Sequence, residues 1–213
     1  MRTNTKKLTF KEIILNHINS NIKEYLSVSL IFLIGIVLGV IFINNVNETQ
    51  ETEISSYISN FISSLKENST IDKAGLVKKS LINNITLGVL LWFVGSTVIG
   101  IPIVYGTILF RGFCLGYTIS STIAVLGAGK GILFSISTVL FQNIIFIPAI
   151  LALAVSGIKL YKSILKDKRK ENIKIEICRH TLFSIIIVAM LAVSSLIEVY
   201  VSTNLLLFFI KYI

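Results

Sequence analysis

Charge is scarce in these 213 residues: 15% are Asp, Glu, Lys or Arg, where a soluble domain carries about a quarter. That shortage, with 54% hydrophobic residues and a mean hydropathy of +0.82, excludes an ordinary soluble globule and indicates a polytopic membrane protein. Cysteine is nearly absent. Cys114 lies inside an apolar run and Cys178 in a basic loop, too far apart in membrane depth to pair, so a disulfide framework is excluded. The two histidines, His17 and His180, stand in basic surroundings without HExxH spacing or a carboxylate close in sequence, so no metal site is expected. No GxSxG elbow, paired acids or nucleophilic cysteine context occurs, which argues against an enzyme. Gly129-Lys130 fails as a phosphate-binding loop, because the leading glycine is missing and Gly131 stands where Ser or Thr belongs. It reads as part of a turn, and neither a cofactor nor a small-molecule substrate is expected. A net charge of +9 raises the question of nucleic acid, yet the basic residues form two tracts beside apolar runs, with no zinc spacing or stacking aromatics among them. Their role is topogenic, and no nucleic-acid partner is expected.

What the sequence has in quantity is long apolar runs. Residues 1–25 carry Arg2, Lys6, Lys7, Lys11 and Lys23 against Glu12 and Glu24, a balance that holds the N-terminus in the cytoplasm. Within them Phe10, Ile13, Ile14, Ile18 and Ile22 recur at helical spacing, as in a helix lying along the inner leaflet. The first span is expected over 26–43, without a small-x-small cleavage site after it, and Gly35 and Gly39 are spaced for close helix approach. Residues 44–80 form the one sizeable polar segment on the far side. There Ile54, Tyr57, Ile58, Phe61, Ile62 and Leu65 follow a helical period with serines filling the other face. That amphipathic stripe either rests on the bilayer or the bundle, or docks an extracytoplasmic partner, with Ile58 and Phe61 as its central anchors.

The second span is expected over 81–110; thirty residues make a helix of about 45 Å, too long for a core of about 30 Å, so a kink is expected near Gly100 to Pro102. Arg111 then opens a hairpin of two spans, 112–126 and 132–158, joined by the Gly127–Gly131 turn. The loop 159–179 has eight basic residues against three acidic ones and is the strongest inside marker. A fifth span is expected over 181–210. The fold class is therefore all-α, with five transmembrane helices, a cytoplasmic N-terminus and an extracytoplasmic C-terminus.

Three short motifs lie in these runs. Arg111-Gly112-Phe113 is followed by Gly116, Gln142-Asn143 leads into Ile147-Pro148-Ala149, and Leu196-Ile197-Glu198 precedes Val201. Together with the helix layout they resemble the stage II sporulation protein M family of endospore-forming bacteria. The resemblance implies a membrane scaffold without chemistry of its own. It would hold the stage II sporulation proteins D and P, which cut peptidoglycan, at the septal membrane while the mother cell engulfs the forespore. In the wider superfamily the second hairpin helix often has Pro-His-Gly followed by Glu, whereas Phe141-Gln142-Asn143 here lacks both His and acid. From the residues alone, Glu198 is the costliest group at membrane depth. It is either an ion site in a small transporter or channel, or a structural partner of Arg111, Gln142 or Asn143. A dry, paired Glu198 would favour the scaffold; a water-filled path lined by it would favour transport.

Overall fold

A computed structural model describes residues 10–67, 72–97, 100–166 and 173–210. These are all-helical: α1 (Phe10–Ser20), α2 (Ile22–Asn44), α3 (Glu48–Glu67), α4 (Lys73–Gly95), α5 (Gly100–Leu126), α6 (Ala128–Ser135), α7 (Phe141–Lys166), α8 (Ile173–Ile197) and α9 (Thr203–Phe209). Many β-branched residues are helical here because lipid offers no hydrogen bonds, and only a helix satisfies its backbone within one segment. Two five-residue π segments, Ile136–Leu140 and Glu198–Ser202, join α6 to α7 and α8 to α9 without interrupting either rod. Five rods are long and apolar enough to cross a membrane: Ile22–Asn44, Lys73–Gly95, Gly100–Leu126, Ala128–Leu165 and Ile173–Phe209. Exposed leucines such as Leu26, Leu30 and Leu33 line the outside of α2, where lipid would cover them.

The number of spans agrees with the sequence reading, but the second and third are divided elsewhere. Instead of ending at Arg111, the second span stops at Gly95. Ser96 Oγ donates to Trp92 O (2.8 Å) and Thr97 Oγ1 to Val94 O (2.8 Å), capping the carbonyls that the helix end leaves open. The kink expected within 81–110 is thus a break between two helices. Pro102 sits in the first turn of α5, where a missing N–H needs no partner. Arg111 lies near the middle of that helix instead of at a loop. The hairpin turn is also tighter than expected. Gly127, with φ +79°, is the turn by itself, and Gly129 and Lys130 already belong to α6. The fourth rod extends beyond 132–158 at both ends, and the fifth starts at Ile173, ahead of the expected 181, and ends at Phe209.

Helix α7 is central and touches α2, α4, α5 and α8. Its Leu153, with Val28, Leu91, Val104, Ile108 and Leu191 from the surrounding helices, makes the main core. The broadest pairing is α2 on α5. Gly35 and Gly39 face Gly112 and Gly116. A Cβ on Gly35 would meet Leu109 O, one on Gly112 would meet Phe32 O, and one on Gly116 would meet Ile36 O. The absence of side chains lets the two backbones touch, which no larger residue permits.

One end of the bundle holds the Lys-rich ends of α7 and α8, with Lys162 bonded to Glu24 at 2.6 Å. The opposite end holds α3. Its start is fixed reciprocally: Asn47 Oδ1 accepts from Gln50 N (2.9 Å) and Gln50 Oε1 accepts from Asn47 N (3.4 Å). Its apolar stripe lies on the bundle, where Ile58 and Ile62 pack with Phe134 of α6, Leu206 of α9 and Ile210. The docking role expected for Ile58 therefore needs correction: only 8% of it is exposed, and its face is already occupied. Phe61 keeps 42% exposure while its ring meets that of Phe134 edge-on at 6.4 Å, and Tyr57 beside it is 75% exposed. Of the N-terminal amphipathic helix, the side chains of Phe10, Ile13 and Ile14 lie outside the described residues.

Candidate functional site: a polar centre between α4, α7 and α8

A carboxyl group inside a helix bundle must find donors, because desolvation without them costs several kcal/mol, of order 2–7. Glu198 finds two. Gln142 Nε2 donates to its Oε2 at 2.7 Å, and the hydroxyl of Ser80 donates to the same oxygen. These come from the π-to-α7 junction and from α4, so the carboxyl group ties three spans together. The centre extends along the α4–α8 seam, where Asn84 Nδ2 donates to Ser195 Oγ at 2.8 Å, both side chains being buried. Ser194 Oγ donates to the backbone O of Gln142 at 3.3 Å.

Glu198 also opens the π segment. Its backbone O accepts from the N–H of Thr203, five residues on, and from Thr203 Oγ1 at 3.3 Å. This i→i+5 bond is the signature of a π bulge, which inserts a residue and turns side chains relative to a regular helix. The second π segment, Ile136–Leu140, packs against the first, so both rods bulge at the same level. Ser202 Oγ, one turn beyond Glu198, is buried and has no hydrogen-bond partner among the described residues.

The residues singled out from sequence fall into three groups. Gln142 and Glu198 are bonded to each other. Gly112 and Gly116 form the α2–α5 contact. Arg111 and Asn143 stand apart from the polar centre: the Arg111 guanidinium lies over the Phe146 ring, 5.2 Å from its centroid, and makes no ion pair with Glu198. Asn143 Nδ2 bonds to Val139 O of its own rod at 2.7 Å. Sequence reasoning missed Ser80, Asn84, Ser194 and Ser195. The available signal was the four-residue spacing of Ser80 and Asn84 beside an apolar run, which places both on one helix face.

A second polar group lies at the Lys-rich end. His180 Nδ1 is 2.8 Å from Ser156 Oγ, and its Nε2 is 3.4 Å from Trp92 O, so the ring bridges α7, α8 and the end of α4. His17 of α1 stacks on Phe183, with centroids 5.0 Å apart, and its Nδ1 is 3.3 Å from the Tyr25 hydroxyl. Burial, and then the nearby Lys159 ammonium, hold His17 below the ordinary imidazole value of 6.5.

Glu198 is not among the residues lining the grooves along α2–α5, α5–α7, α3–α5 or α4–α8, or the crevice at the Lys-rich end. No group of three or more His, Cys, Asp or Glu gathers among the described residues. Five membrane-crossing rods around a hydrogen-bonded polar centre define the class: a multi-pass α-helical membrane protein showing no positive sign of catalytic activity. Within that class the stage II sporulation protein M family matches the chain over residues 28–203, and the chain belongs to that family. It is a sporulation-related membrane protein. No curated protein and no solved structure matched the chain in these comparisons.

Proposed function

We propose that this chain is a non-enzymatic scaffold that anchors the peptidoglycan-degrading machinery at the septal membrane of the mother cell during engulfment, with the stage II sporulation proteins D and P as its partners. The N-terminus faces the cytoplasm and the C-terminus the wall side, since the tract 159–179 is strongly basic and its described members Lys159, Lys162, Lys174 and Arg179 stand at the Lys-rich ends of α7 and α8, with positive charge inside. The observation that carries the reading is the state of Glu198. Its carboxyl group is held by Ser80 of one span and Gln142 of another, an arrangement suited to locking helices together. Such a bundle offers partners a rigid surface in place of a pathway.

The surface best placed for those partners is the exposed edge of α3, at Tyr57 and Phe61, because lytic domains must work on the wall side. Interface energy concentrates in a few aromatic or apolar anchors of this kind. Replacing both by Asp leaves the packed Ile58 and Ile62 untouched. The double variant should insert and accumulate normally, yet lose co-purification of both lytic partners and arrest at the septum. A variant that accumulates, retains both partners and completes engulfment would remove α3 as the docking surface.

A further inference from the structure

The Lys-rich end has a crevice of about 60 Å³ between α1, α7 and α8, lined by His17, Ser156, Lys159, Arg179, His180 and Phe183 together with Leu160 and Glu176. Its polar walls are committed unevenly. Ser156 and His180 hold each other, and Arg179 Nη1 holds Glu176 at 2.9 Å. Lys159 is partly buried and has no carboxylate partner among the described residues, unlike Lys162 one turn on, which is paired with Glu24. Its charge is felt across the crevice, where it disfavours protonation of His17. The crevice thus has an unbalanced cation, with the guanidinium of Arg179 beside it. Its volume admits a phosphodiester group and little more.

From this geometry we infer that the crevice binds the phosphate of an anionic phospholipid headgroup, with Lys159 as the central cation and Arg179 as a further donor. Placement argues for a lipid as the source of the phosphate. Charged residues begin on both α7 and α8 at this level, so the crevice lies where the apolar spans meet the headgroups. Below it the outer face of α8 exposes Leu182, Ile185 and Ile186, a track for an acyl chain leading away from the headgroup. Phe183 and Leu160 give the mouth an apolar wall.

The test uses the full chain in nanodiscs of phosphatidylcholine containing a minority of phosphatidylglycerol, released and weighed by native mass spectrometry. The unaltered chain should retain phosphatidylglycerol in preference to phosphatidylcholine. Lys159→Gln should lower that preference about fivefold, the weight of one basic side chain at an anionic membrane surface. Lys159→Arg should keep it, and so should Lys162→Gln, which removes an equal charge at the same end. Equal retention of the two lipids by the unaltered chain would overturn the site. So would equal losses in the Lys159→Gln and Lys162→Gln variants, which would reveal diffuse attraction. Inorganic phosphate raising the thermal stability of the chain in pure phosphatidylcholine discs, and displacing phosphatidylglycerol from mixed ones, would assign the crevice to a free anion instead.

Discussion

Both hydrogen bonds that Glu198 accepts come from neutral side chains, an amide and a hydroxyl, so the pairing depends on shape more than on opposite charge. Gln142→Leu should leave the carboxyl group short of a donor, and Glu198→Leu should leave the Gln142 amide unpaired. Each single change should cost about 1–3 kcal/mol, read as a lower apparent Tm in detergent. The double variant should cost less than the sum, because neither orphan remains. Strictly additive losses would mean that the two side chains are not coupled. Gln142 and Glu198 were legible in the sequence because large polar groups in an apolar run are conspicuous. Ser80, Ser194 and Ser195 were not, since a serine hydroxyl can bond to its own helix and therefore appears at little cost in any span. Asn143, adjacent to Gln142, shows the limit of such reading. It looks equally costly in sequence, and the backbone of its own rod satisfies it.

Among helices, the α2–α5 pairing is the contact least tolerant of change. Alanine at Gly112 or Gly116 already places a Cβ against a carbonyl oxygen of α2, and leucine would force the helices apart. Each leucine variant should lose about 1–3 kcal/mol or more and accumulate poorly, whereas Ile119→Leu, on a lipid-side groove of the same helix, should be tolerated. Equal levels and equal function for all three would make the glycines incidental. The four-residue glycine spacing was visible in both helices, but nothing in sequence said that the two pairs meet. The helical periodicity of α3 is also plain in the sequence, whereas what its apolar stripe covers is not. The boundary between the second and third spans was not. The charge of Arg111 marks an edge in the sequence, while the chain breaks where Gly95, Ser96 and Thr97 can cap a helix end. The two π segments leave no compositional trace, so their alignment at Glu198 emerges only in three dimensions.

For the molecule as a whole, span count and family could be read early, since length, hydropathy and three short motifs carry them. Partners could not, because a docking surface on a membrane bundle looks much like the lipid-facing apolar surface around it. Orientation is open to direct measurement with single cysteines in a background lacking Cys114 and Cys178. Positions Ser59 and Gly129 should react with an impermeant thiol reagent in intact cells. Lys168 and Thr97 should react only after the membrane is opened, and Arg111, inside α5, should resist labelling in both cases. Labelling of Thr97 from outside would contradict the orientation, and ready labelling of Arg111 after opening would place it at a boundary between two spans.

The central claim, that Glu198 locks the scaffold and carries no ion, is tested most directly by Glu198→Gln in sporulating cells. Glutamine keeps an oxygen that accepts from Ser80 and Gln142 but can hold neither charge nor a transferable proton. On the scaffold reading proposed above, the variant should accumulate, keep the proposed partners and support engulfment at the level of the unaltered chain. A Glu198→Gln chain that inserts at normal levels and yet stops engulfment would show that the carboxylate itself is at work, and would return the protein to the transporter reading.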